Sequence, residues 1–187
     1  MNEHERPVIQ QLAQRYGIVL EDRCCGGHDL KQPVWNGKTL ATKHLQAKYD
    51  SITDQYQFSE VPLSDHDFLH EIGHWVVAAP EQKDLPEYGL GAVAFSTYHF
   101  AHECPEVVDH KEATIQEFLT QLLCVYWGKK YNLSHLLSSE PEWDIGSWDN
   151  YLNYKIREVV LLNRGDHGQV ENFWTALIRF QTLRDQL

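Results

Sequence analysis

The sequence is sparing with the residues that mark secreted, membrane-spanning and nucleic-acid-binding chains. Four cysteines in 187 residues are too few for a disulfide scaffold, and Cys24, Cys25, Cys104 and Cys124 form no C-x-x-C pair. Cys124 reads as a small buried hydrophobe, and Cys24-Cys25 as residues leading into a Gly26-Gly27 turn. No stretch approaches the roughly 18 consecutive apolar residues of a membrane span. No N-terminal apolar run resembles a signal peptide, so the expected location is cytoplasmic. Basic residues are scarce: 16 Lys and Arg stand against 27 Asp and Glu, a net charge of −11. That balance argues against nucleic acid as a partner. It suits a protein that meets a basic protein segment, although a merely solvated acidic surface is the plainer alternative. Repeats, low-complexity tracts and linkers are also missing. The length then fits one domain, residues 1–187, large enough to bury a core.

What is abundant is aromatic: six Trp, nine Tyr and seven Phe suit a packed interior or a substrate cleft. What is most informative is His70-Glu71-Ile72-Gly73-His74, an H-E-x-x-H motif. On a helix, residues four apart share a face, so His70 and His74 can offer two imidazoles to one metal ion. Glu71 sits beside them, able to act on a metal-bound water without ligating. The flanks support a helix from about Asp65 to Ala79. Ser64 is a good N-cap, and Asp67 completes a capping-box-like start. Phe68, Ile72, Trp75, Val76 and Ala79 form an apolar stripe, and Pro80 stops the segment. His66 and Asp67 lie one turn earlier and are candidates to orient a ligand imidazole, with capping the plainer role for Asp67.

Elsewhere the pattern predicts a helix over Pro7–Tyr16, closed by Gly17, and a short strand at Ile18–Leu20. Asn36-Gly37 is a hairpin signal between Val34-Trp35 and Lys38–Leu40. Residues 41–63 are ambiguous. Gly91–Phe95 reads as a strand or a short helix within a long connection. A second strong helix starts at Asp109 and ends near Gly128, with Ile115, Phe118, Leu119, Leu122, Leu123 and Tyr126 on its apolar side. Further helices are expected at about Asp149–Leu162 and Gly168–Arg184. The whole reads as α+β, a helix-dominated zincin-like domain with a small sheet before the motif helix.

Two histidines need a third ligand. Glu112, opening the second strong helix, is the favoured candidate, because a Glu from a second helix completes many H-E-x-x-H sites. Its alternative role is to cap that helix with Asp109. Glu117, about 140° further round the helix, is the second choice. His99, His102, Cys104 and His110 are potential ligands in the connecting segment.

Two resemblances follow from these residues. H-E-I-G-H followed by Glu112-Ala113 and a leucine-rich run resembles the phage-immunity and radiation-response zincin metallopeptidases. A longer likeness is to the bacterial elongation factor P hydroxylases. It is carried by His70-Glu71-Ile72, His74-Trp75, Leu85, Gly89, Leu123-Cys124-Val125, Gly128, Tyr131–Ser134, Phe173, Ala176-Leu177 and Phe180. That resemblance implies a metal held by His70, His74 and, with shifted spacing, Glu112, and hydroxylation of a lysine on a translation factor.

The functional expectation is therefore a metal-dependent enzyme using one divalent ion, Fe(II) or Zn(II). A hydroxylase-like oxidoreductase acting on a protein substrate stands first. A zinc metallopeptidase with Glu71 as catalytic base stands second, because the motif supplies ligands and base together. A non-catalytic zincin-like protein-binding domain, closed by a fourth protein ligand, is the third reading.

Overall fold

The computed structural model describes residues 5–25, 35–85, 107–133 and 167–187. Within them lie four helices, α1 (Glu5–Arg15), α2 (Asp65–Val77), α3 (His110–Lys130) and α4 (His167–Arg184). Four strands, β1 (Val19–Cys25), β2 (Trp35–Asn36), β3 (Thr39–Asp50) and β4 (Gln55–Pro62), form one mixed sheet. The architecture is α+β. The expected helix at 149–162, the element at 91–95, and His99, His102 and Cys104 lie outside the described residues.

α1 buries Ile9, Leu12 and Ala13. It ends where Gly17 takes φ 70°, a left-handed conformation that costs a glycine little. The amide of Ile18 then donates to the Ala13 carbonyl at 3.0 Å, closing the last turn and launching β1. β1 is longer than the expected Ile18–Leu20 segment because it pairs in parallel with β3, from Val19↔Thr39 to Cys25↔His44. The expected hairpin forms, with Trp35↔Leu40 and Asn36↔Thr39 paired and Gly37 at φ 55° in the loop.

The ambiguous stretch 41–63 is a long antiparallel hairpin of β3 and β4, paired from Lys43↔Pro62 to Asp50↔Gln55. Its outer half carries apolar groups into solvent: Tyr49 and Tyr56 meet across the strands with tilted rings 5.3 Å apart, and Ile52 at the tip is 93% exposed.

The sheet leads directly into α2. Ser64 caps it by accepting from the Asp67 amide at 3.0 Å. α1 braces the same helix: Arg6 ion-pairs with Asp65, and the Trp75 indole donates to the Tyr16 carbonyl at 3.1 Å. α3 lies centrally, packed on both α2 and α4. One hydrophobic cluster draws on all four helices and on Trp35 and Leu40 of the sheet. α3 is therefore buried on more than its predicted apolar side, and Gln116, Thr120 and Cys124 are buried with it. No helix among the described residues is long and apolar enough to cross a membrane.

Candidate metal centre

Helical spacing puts His70, Gly73 and His74 on one side of α2. It puts Glu117, Thr120 and Cys124, at i, i+3 and i+7, on one side of α3. These two sides meet. Their contact is close because position 73 is glycine: a Cβ there would lie 2.8 Å from Thr120 Cγ2. The polar atoms carried by the two helices converge at this crossing.

His70 Nε2 and His74 Nε2 are 3.0 Å apart. Glu117 spans them, Oε1 at 3.3 Å from His70 Nε2 and Oε2 at 3.3 Å from His74 Nε2. The three side chains are the one His/Cys/Asp/Glu group among the described residues whose ligand atoms lie close enough together for one ion. Donors bound at about 2.1 Å to a single ion stand roughly 3.0–3.4 Å from one another at octahedral to tetrahedral angles. The spacing observed here matches, and two imidazoles with one carboxylate suit either Zn(II) or Fe(II).

The third member of this group is Glu117 and not Glu112. Glu112 sits five residues earlier, about 7.5 Å back along the axis of α3. Its backbone amide is capped by Asp109 at 2.8 Å, and its carboxylate accepts from Arg179 at 2.6 Å and from Gln116 at 3.1 Å. Gln116 exchanges hydrogen bonds with Gln82, just beyond α2, at 3.1 and 3.3 Å. Glu112 thus ties α3 to α4 and, through the two glutamines, to the end of α2.

The electrostatics follow from burial and proximity. Desolvation works against charge on His70, but hydrogen bonds to Cys124 and Glu117 outweigh it and raise its pKa well above the ordinary value. His74 is more deeply enclosed; burial brings it down to about 4, with the Glu117 carboxylate opposing and the charge on His70 adding to the shift. Burial would raise Glu117, yet the two imidazoles hold its carboxyl down at about 2.

Glu71 is outside the three-residue group. Its Oε2 accepts from the indole Nε1 of Trp35 at 2.8 Å. Trp35 is fully buried and stacked on Trp75 at 5.4 Å. Burial pushes the Glu71 carboxyl up to about 7, partly offset by His70 and by the indole N–H. His66 stacks on His70 at 6.3 Å, and Asp67 serves the cap, its carboxylate accepting from Ser64 Oγ at 2.6 Å. His110 is exposed at the start of α3.

Comparison with protein-family models, curated proteins and solved structures finds no match. The two family resemblances rest on the quoted residues alone. Sequence reasoning missed Trp35, Thr120 and Cys124 as parts of the site. The available signal was that Glu117, Thr120 and Cys124 share a helical face that no apolar pattern claims.

Proposed function

We propose that this chain is a metal-dependent enzyme of zincin-like design, in which His70, His74 and Glu117 hold one divalent cation, and that it hydrolyses a peptide bond in a basic protein segment. The carrying observation is the placement of Glu71. It lies next to a ligand but outside the ligand group, with one oxygen fixed by Trp35 and its pKa near neutrality. A carboxylate so held is matched to proton transfer at neutral pH. When bound, the cation supplies Lewis-acid polarisation of the substrate carbonyl.

The chain's own groups supply the rest. Trp35 occupies Oε2 of Glu71 and leaves Oε1 for the proton. Glu71 takes that proton from the attacking water and returns it to the leaving amine nitrogen, so water is added across the amide and no redox partner is needed. The net charge of −11 favours approach of a basic segment.

A second reading is a hydroxylase using Fe(II) and oxygen. It is favoured by the donor set, since two His and one carboxylate is also the ligand set of non-haem iron oxygenases. This reading agrees with the elongation factor P hydroxylase resemblance.

The test compares two reconstitutions of metal-free protein incubated with basic protein substrates and followed by mass spectrometry. Chain cleavage with Zn(II) and no oxygen requirement supports hydrolysis. A gain of one oxygen atom with Fe(II), oxygen and reductant overturns it in favour of the hydroxylase. Stoichiometric metal with neither product favours the non-catalytic binding domain. Under the hydrolytic reading, Glu71→Gln keeps its metal and loses turnover.

A further inference from the structure

We infer that Thr120 is the positioning residue that fixes the tautomer and the aim of His74, so that Nε2 is presented to the cation. The inference rests on the metal site proposed above. Thr120 is fully buried on α3, one turn after Glu117. Its Oγ1 lies 3.4 Å from Nδ1 of His74. That is the ring nitrogen remote from Glu117, which Nε2 faces.

A neutral imidazole carries its proton on one nitrogen. With the proton on Nδ1, donated to the Thr120 hydroxyl oxygen, Nε2 keeps the lone pair that a metal needs. Metal-ligating histidines regularly donate their second N–H to an outer partner, which fixes tautomer and ring orientation. Here that partner is a neutral hydroxyl. It adds no further negative charge to a crossing that already holds Glu117 and Glu71.

The choice of threonine follows from its two branches. Its methyl rests where α2 has no side chain, against Gly73. A β-branched residue on a helix has a stiff χ1. Seating the methyl against α2 therefore fixes where the hydroxyl goes, and the hydroxyl goes to His74. Valine keeps the shape and loses the oxygen. Serine keeps the oxygen and loses the methyl.

Two readouts test this. The first is Co(II) affinity, by optical titration and chelator competition, of the wild type, Thr120→Val and Thr120→Ser. Thr120→Val is expected to bind roughly 10- to 100-fold more weakly, with Thr120→Ser close to wild type. The second is the His74 tautomer, read from imidazole ¹⁵N shifts in the metal-free protein. The wild type is expected to carry the proton on Nδ1, and Thr120→Val to lose that preference while its far-UV circular dichroism is unchanged. Wild-type Co(II) affinity in Thr120→Val, or a wild-type proton on Nε2, overturns the inference. If the wild type binds no Co(II), the metal reading fails, and the tautomer comparison still decides the role of Thr120.

Discussion

The α2–α3 crossing and the outer β3–β4 hairpin depart from the usual distribution of polar and apolar groups in opposite senses. At the crossing, His74 and Thr120 are buried, with His70, Glu71 and Glu117 shielded beside them. In the hairpin, Tyr49, Ile52 and Tyr56 face solvent. The two departures differ in cost. Burying ionisable groups is expensive unless each finds a partner, and every one at the crossing has one. Exposing single apolar side chains is ordinary and costs little. Local rules broken at high cost and with full compensation are the places to look for a site; rules broken cheaply are not. The crossing is where substitutions should matter.

The largest effect is expected at Glu117. Glu117→Gln should lose bound metal, measured by elemental analysis after anaerobic purification. Glu112→Gln should retain it and lose only the Arg179 and Gln116 ties. Metal lost from the Glu112 variant and kept in the Glu117 variant would break the assignment. Next, Gly73→Ala should destabilise by about 1–3 kcal/mol, because the added methyl meets Thr120 Cγ2 and the helices must part. A thermal melt reads this directly.

Glu71→Gln should act in the other direction on the metal-free protein. The folded-state pKa of Glu71 is raised from 4.5 to about 7. Its contribution to stability is complete below the unfolded value and is lost as pH rises through 7. The amide removes that loss, so at pH 7.5 the variant should be more stable by roughly 3 kcal/mol, with almost no gain at pH 4. An equal gain at both pH values would rule out ionisation as the cause.

The hairpin should give the small numbers. Ile52→Asn is expected to change stability by less than about 0.5 kcal/mol. Smallest of all is the acid limb at Asp67, whose pKa is lowered to about 2 first by the adjacent His66 imidazole, 3.6 Å away, and then by the Ser64 hydroxyl, against burial. A depressed carboxyl contributes above its unfolded pKa of 3.8 and loses that contribution as pH falls through 2. Asp67 is half-exposed, so Asp67→Asn should flatten the acid limb of stability only slightly.

The helices were legible because their signals are local. Ser64 and Asp109 cap α2 and α3, Gly17 closes α1, and the apolar stripes carry the helical period. The β3–β4 hairpin was not legible. Its outer half is exposed on both faces, so nothing imposes the alternation by which a half-buried strand is recognised. Two ligand candidates, His70 and His74, were legible from their spacing alone. The carboxylate opposite them was not. Glu112 and Glu117 both fit a second-helix glutamate, and only the packing of Gly73 on Thr120 brings the later turn of α3 to the histidines. Trp35 was beyond reach for a related reason, since 36 positions separate it from the Glu71 it holds and no local rule spans that gap.

The pairing of Trp35 with Glu71 also gives the protein an optical handle. The indole N–H that holds the carboxylate belongs to a fluorophore, and that fluorophore is stacked, with only 12° between the ring planes, on a second one, Trp75. Two near-parallel indoles at 5.4 Å couple their ultraviolet transitions, so the stack should give a near-ultraviolet dichroism band of its own. Protonation of Glu71, or occupation of the neighbouring histidines, changes the field at Trp35. A change in the dichroism band of this pair then reports the charge state of the candidate base, without label or substrate.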